Sequence, residues 1–213
     1  MPLVIVLGYP QLASANLLTN GDFESEPNWG VNTGGCYFDP NCTALTGSQL
    51  PGWTIEPGHA VTIHNTYYPT ISGAYSVNTD GEGYNGHNAN FYQDFATSSG
   101  QKYNLQFDWK TWYSNTTPHL DVSVIDTVTS TVLYDGNFPW NSNALNHEDS
   151  VFTGTGNALR LRIQEIPESG FNDNSYIIDN FSVTALPVPE PETYALMLCG
   201  LAALGFVVQR RKG

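Results

Sequence analysis

Between residues 16 and 187 the hydrophobic and polar positions alternate with a period of two, and almost nothing recurs at the spacing of a helix. Leu105, Phe107 and Trp109 alternate with Gln106, Asp108 and Lys110. Leu120, Val122 and Val124 alternate with His119, Asp121 and Ser123, and Leu159, Leu161 and Ile163 with Arg160, Arg162 and Gln164. Successive side chains of a strand point to opposite faces, so each stretch reads as a strand with one core face and one polar face. The same criterion, supported by β-branched and aromatic residues, predicts strands near 16–24, 59–65, 73–79, 89–96, 101–113, 119–128, 131–135, 148–153, 157–166 and 175–185. Turn residues fall between them at Asp80-Gly81, Ser99-Gly100, Asp135-Gly136 and Gly154-Thr155-Gly156. That number and spacing of strands predict an all-β fold, an antiparallel jelly-roll β-sandwich over residues 16–186.

The two ends of the chain break the pattern. Leu3 to Gly8 is an apolar run and Ala13-Ser14-Ala15 has the small-x-small form of a cleavage site, so residues 1–15 read as a secretory signal. Its basic n-region is missing, which makes a truncated start the expectation. From 187 to 213 the order is Pro189-Glu190-Pro191, an apolar stretch from Tyr194 to Val208, and the cations Arg210, Arg211 and Lys212. A 15-residue helix reaches roughly 22 Å against a hydrocarbon core of about 30 Å, a short transmembrane span. Cations flanking a span stay cytoplasmic, so residues 16–188 are expected on the opposite side of the membrane.

Charge narrows the function classes. Between Asn16 and Pro187 the chain carries 18 acidic side chains against only Lys102, Lys110, Arg160 and Arg162. Such a surface repels polyanions, so a nucleic-acid partner is not expected. Only 13% of the residues are charged, in keeping with an exported domain held by turns and aromatic packing. In an oxidising compartment Cys36 and Cys42 are expected to pair across their Gly/Asn/Pro-rich loop, while Cys199 lies in the apolar tail.

The tail, Val-Pro-Glu-Pro-Glu followed by a Leu/Ala/Gly-rich stretch and Arg-Arg-Lys, resembles the PEP-CTERM sorting signal of Gram-negative bacteria. The resemblance implies processing by a membrane transpeptidase-like enzyme, exosortase. The protein would be anchored transiently in the inner membrane, then delivered to the cell surface or released. A second resemblance spans the domain. Asn16-Leu-Leu-Thr-Asn20-Gly21-Asp22-Phe23-Glu24, Leu50-Pro51-Gly52-Trp53, Gln93-Asp94-Phe95 and Tyr176-Ile-Ile-Asp179-Asn180-Phe181-Ser182-Val183 are similar to carbohydrate-binding modules of the galactose-binding-like jelly-roll type. That likeness implies first and last strands side by side, with a structural calcium ion held by Glu24 and Asp179, and by Asp22 nearby. No other cofactor is implied.

Strand alternation offers a ligand face as well. If the three strands are neighbours, Trp112 amid Asp108, Lys110, Arg160, Arg162 and Gln164 can stack a sugar ring and hydrogen-bond its hydroxyls. The competing reading is a solvated face whose charges pair locally, and Tyr67, Tyr68, Tyr84, Tyr113 and Trp140 are alternative stacking residues. Catalytic templates are missing: there is no Gly-x-Ser-x-Gly elbow and no His-Glu-x-x-His motif. Gly81-Glu82-Gly83-Tyr84-Asn85-Gly86 fits a dinucleotide fingerprint but leads into a strand, so it reads as a loop. The expectation is therefore a non-enzymatic surface or matrix protein whose sandwich contacts extracellular polysaccharide. The alternatives are a glycan-active hydrolase using a carboxylate pair such as Glu165 with Glu168 or Glu148 with Asp149, and a structural protein without ligand.

Overall fold

In the computed structural model the alternating stretches become strands of two facing sheets. The structure describes residues 14–25, 27, 35–36, 39–64, 70–81, 87–114, 118–141, 143–166, 174–187 and 191–210. The strands are β1 (Gly35–Cys36), β2 (Asp39–Leu45), β3 (Thr54–Ile55), β4 (Val61–His64), β5 (Ser76–Asn78), β6 (Asp80–Gly81), β7 (His87–Asn88), β8 (Asn90–Ala96), β9 (Lys102–Ser114), β10 (His119–Asp126), β11 (Val132–Pro139), β12 (Asn146–Thr153), β13 (Ala158–Ile166) and β14 (Asn174–Ala185). One sheet has seven strands in the order β1-β2-β4-β5-β14-β9-β12, and the other has five in the order β11-β10-β13-β8-β3. Neighbours pair antiparallel throughout, and β6 with β7 forms a separate two-stranded ribbon. The result is the expected antiparallel β-sandwich. Residues 15–185 make one compact unit.

The core is the set of inward positions that the alternation marked. Leu105 and Phe107 of β9 and Leu120, Val122 and Val124 of β10 are fully buried, as are Leu159, Leu161 and Ile163 of β13. Rings fill the space between the sheets. Phe107 stacks on Phe181 at 4.7 Å, while Trp53 meets Phe91 edge-on at 5.3 Å and Phe23 at 5.6 Å. Each such pair adds about 1 kcal/mol beyond the area it buries.

Three local expectations were wrong for identifiable reasons. Residues 16–24 are not a strand but a strap laid on β14. Leu17 N–H donates to Val183 O and Phe181 N–H to Gly21 O, while Asn20 and Phe23 turn the chain at φ 55°. Asn16 supplies bonds that a ladder would otherwise make, its Oδ1 accepting from the Leu18 and Val183 amides and its Nδ2 donating to Phe181 O. Gly21 is required here because a Cβ would lie 2.0 Å from Phe181 O. Asp135-Gly136 is not a turn either; it lies inside β11, where a Cβ on Gly136 would meet Tyr134 Oη at 2.4 Å and the Phe138 ring. The hairpin turns instead at residues 127–130, where the Asp126 carboxylate accepts from the Val128 and Thr129 amides. Asp80-Gly81 belongs to a strand, β6, opposite β7.

The carboxyl-terminal region contains α1 (Pro191–Arg210), a 20-residue helix with a basic last turn. Among the described residues no helix is long and apolar enough to cross a membrane, so the expected transmembrane span does not follow from the helix alone. Polar residues at its ends, Glu192 and Thr193 before and Gln209 and Arg210 after, confine the apolar run to 194–208. Residues 1–13, Pro189, Glu190 and Arg211 lie outside the described residues. So do the side chains of Cys36 and Cys42, on which the expected disulfide depends.

Candidate functional site

The outer face of the five-stranded sheet is laid out by its registers. Thr54, Tyr92, Arg162, Ser123 and Asp135 form one row across β3, β8, β13, β10 and β11. Asp94, Arg160 and Ile125 form the next, and Asn90, Gln164, Asp121 and Asn137 the one on the other side. A cleft of about 510 Å³ opens over part of this face, where Asn90, Ile125, Arg160 and Arg162 meet the flanking loops. Arg160 and Arg162 line it from β13, Glu56, Pro57 and His59 from the segment after β3, and Asp126, Thr127 and Ser130 from the β10–β11 turn.

Most of these side chains are fixed by one another. Arg160 forks onto Asp94, Nε to Oδ1 at 2.8 Å and Nη2 to Oδ2 at 2.9 Å, and its guanidinium carbon lies 3.5 Å from the centroid of the Tyr92 ring. The hydrogen bonds to Asp94 hold its pKa above the ordinary arginine value. Arg162 donates from Nε to Asn90 Oδ1 and from Nη2 to Gln164 Oε1. His59 Nδ1 is 2.8 Å from Asn88 O. Asp126 is enclosed by its own turn and by Thr155 and Asn157 of the segment before β13. The Thr155 hydroxyl first, then the Thr129 amide and the Asn157 side chain, hold its carboxyl far below the usual carboxylate range. The chemistry on offer is a preset mixture of donors and acceptors, suited to a polyhydroxylated ligand.

The six residues expected to form one ligand site are divided between the two sheets. Arg160, Arg162 and Gln164 are on the five-stranded face. Asp108, Lys110 and Trp112 belong to β9 in the seven-stranded sheet, so the expected cluster does not assemble. β9 and β13 share the same alternation, and alternation does not record which sheet a strand joins. Among the alternative stacking residues, Tyr67, Tyr68 and Tyr84 lie outside the described residues, and Trp140 is an exposed residue after β11. Sequence reasoning missed Glu56 and His59 as lining, and Tyr92 and Asp94 as the residues that hold Arg160. Period-two reading of 89–96 does place Tyr92 and Asp94 outward; only their neighbours were unknowable.

On the seven-stranded face the polar groups form a network instead of a cleft. His147 Nδ1 is 2.6 Å from Asp108 Oδ1, and Asn180 Nδ2 donates to Asp108 Oδ2 at 2.7 Å. Ser72 Oγ donates to Asn180 Oδ1 and lies 3.2 Å from Asp179 Oδ2. Asp179 is fully buried, and its Oδ2 also accepts from Ser72 N–H and Ser76 Oγ. Burial raises its pKa, and the hydrogen bonds from Ser76, Asn180 and Ser72 oppose that rise. Glu24 grips the same segment from the strap, accepting from the amides of Ala74 and Tyr75 beside Gly73 at φ 56°. Asp22 closes a local turn, its Oδ1 accepting from Glu24 N–H at 3.4 Å.

That arrangement bears on the expected calcium ion. Calcium takes six to eight oxygen ligands, and N–H and O–H groups directed at a carboxylate occupy the positions a cation would need. Glu24 and Asp179 face such donors, and among the described residues no group of three or more acidic, histidine or cysteine side chains could hold a metal. As arranged, Glu24 and Asp179 clamp residues 72–76 by hydrogen bonds, and Asp22 caps its own turn.

Residues 16–184 match the profile of a family described as protein of unknown function, DUF642. The chain belongs to this family. The DUF642 match ends where the tail begins, and residues 187–212 match the PEP-CTERM protein-sorting motif. Among curated proteins no relative matches. Solved structures match the sandwich. The carbohydrate-binding module TmCBM61, in complex with β-1,4-galactotriose, is similar with a TM-score of 0.50 at 13% identity, over 81% of this chain and 100% of that one. The tandem CBM22-1-CBM22-2 domain of Paenibacillus barcinonensis Xyn10C matches with a TM-score of 0.50 at 14% identity, over 86% of this chain and 49% of that one. An arabinose-bound MgGH51 α-L-arabinofuranosidase matches with a TM-score of 0.51 at 13% identity, over 81% of this chain and 27% of that one. At such identities the likeness is one of fold, the jelly roll of carbohydrate-binding modules.

Proposed function

We propose that this is an exported surface protein whose sandwich binds neutral glycan without acting on it, in the cleft over the five-stranded sheet. The observation that carries the reading is the cleft itself. About 510 Å³ is bounded by Glu56, His59, Asn90, Arg160 and Arg162, with Arg162 held by Asn90, Arg160 by Asp94 and His59 by the Asn88 carbonyl. Sugar hydroxyls both donate and accept, so such a lining recognises them without needing net charge. The folds of TmCBM61 and of the CBM22 tandem support it as likeness, because the first was solved with a galactotriose bound.

The tail supplies the address. In this reading an exosortase-like enzyme recognises Pro189-Glu190-Pro191, α1 rests transiently in the inner membrane with Arg210 and Arg211 cytoplasmic, and the sandwich passes to the cell surface or matrix. Replacing Pro189, Glu190 and Pro191 by alanine is expected to leave the chain membrane-associated with its tail intact; release at the wild-type level would overturn the sorting role.

Affinity electrophoresis through neutral polysaccharides tests the cleft. Arg162→Ala is expected to weaken retardation about tenfold, the loss of one hydrogen bond from a charged donor. Trp112→Ala, on the other sheet, is expected to change nothing. Equal loss in both variants, or no retardation of the wild type by any polysaccharide, would remove the glycan reading.

A further inference from the structure

The lining of the cleft raises a question about how a sugar would be read there. Among the described outward side chains of the five strands, Tyr92 is the only phenylalanine, tyrosine or tryptophan. A pyranose packs its C–H face on such a ring. Arg160 already occupies that position. Its register partner is Asp94 rather than Tyr92, so the guanidinium reaches diagonally across the strand pair to lie 3.5 Å from the ring centroid. Two hydrogen bonds to Asp94 hold the guanidinium over the ring. A planar, delocalised cation is well suited to this geometry, and a lysine ammonium is not.

We propose that Arg160 sets the specificity of the cleft by covering Tyr92, so that the site reads the hydroxyl edges of a saccharide instead of stacking its ring. The inference rests on the glycan-binding reading above. The ligand it selects is a short or branched neutral oligosaccharide, met edge-on by Arg162, Asn90, His59 and Glu56. A flat, extended β-1,4-glucan, which offers mainly C–H faces, finds no platform.

The test uses the full chain in mild detergent, with Arg160→Ala, Arg160→Lys and Asp94→Asn compared with the wild type. Two measurements are made, affinity electrophoresis through galactan, xylan and hydroxyethyl cellulose, and nitration of Tyr92 by tetranitromethane followed by peptide mass spectrometry. Tyr92 is expected to be protected in the wild type and nitrated faster in all three variants. Arg160→Ala is expected to gain about fivefold on hydroxyethyl cellulose relative to the other two polysaccharides, the worth of one uncovered stacking ring. An equal loss on every polysaccharide would make Arg160 an ordinary contact and overturn the proposal, as would unchanged nitration. If no form binds any polysaccharide, the glycan reading and this specificity fall together, and the nitration rates still decide whether the arginine cover exists. Arg160→Lys keeps the charge and most of the stem, so the comparison survives should the alanine variant fail to fold.

Discussion

The two outer faces of the sandwich arise from the same alternation of residues and differ in what covers them. On the seven-stranded face a segment, Ile71 to Ser76, folds down over β14, and its donors meet Asp179 and Glu24. On the five-stranded face no described segment covers β13 in the same way, and Arg160 and Arg162 line a cleft. A polar face is therefore not a site until its cover is known. Under a lid the carboxylate works as an anchor, and in the open the guanidinium is available to a ligand.

Substitutions in the two faces separate these roles. Asp179→Ala leaves the buried Ser76 hydroxyl and the half-buried Ser72 and Asn180 amides without their acceptor and is expected to cost about 3 kcal/mol in urea unfolding. Arg162→Ala, on the open face, is expected to stay within about 0.5 kcal/mol of the wild type while losing glycan. A large stability loss in both variants would mean that the faces do not differ. Glu24 holds the same segment from an exposed position, so Glu24→Ala is expected to cost about 1 kcal/mol, measured in the same way.

How much of this was legible depends on what each signal records. Alternation records which side chains of a strand share a face, and it marked Leu105, Phe107, Leu161 and Ile163 as core correctly. It does not record the crossing from one sheet to the other between β9 and β10, which is why Trp112 and Arg162 were placed on one surface. The dispersed motifs were legible as a resemblance, yet their work is structural. Thr19 N–H donates to Gln93 Oε1 and Gln93 Nε2 returns a bond to Thr19 O, while Trp53 Nε1 donates to Asn20 O. Three distant stretches thus tie the strap to the sandwich. Gly136 misled because glycine serves two needs, a positive φ or a space, and here Tyr134 and Phe138 take the space.

Acid titration probes a wall of the open face. The Asp126 pKa is depressed in the folded protein, so Asp126 binds its proton more weakly there than in the unfolded chain. Its contribution to stability is full above the unfolded value of about 4 and is lost as pH falls below it toward the folded value. The urea midpoint of the wild type is expected to fall more steeply between about pH 5 and pH 2 than that of Asp126→Asn, which lacks the titrating group. Parallel curves would assign the acid sensitivity to other carboxylates.

The smallest effect is expected on the covered face, where the two readings of Glu24 and Asp179 part. If the carboxylates are satisfied by the amides and hydroxyls of residues 72–76, removing divalent cations changes nothing, because no bond of the clamp involves one. Calorimetry with excess chelator should then give the same unfolding midpoint as calorimetry with calcium. An ion bound only by the folded state, at a concentration 100 times its dissociation constant, would instead stabilise by about 2.7 kcal/mol, a shift of several degrees for a domain of this size. A midpoint that rises with calcium, and rises less in Glu24→Gln, would turn the clamp into an ion site and make the covered face the one that depends on a ligand.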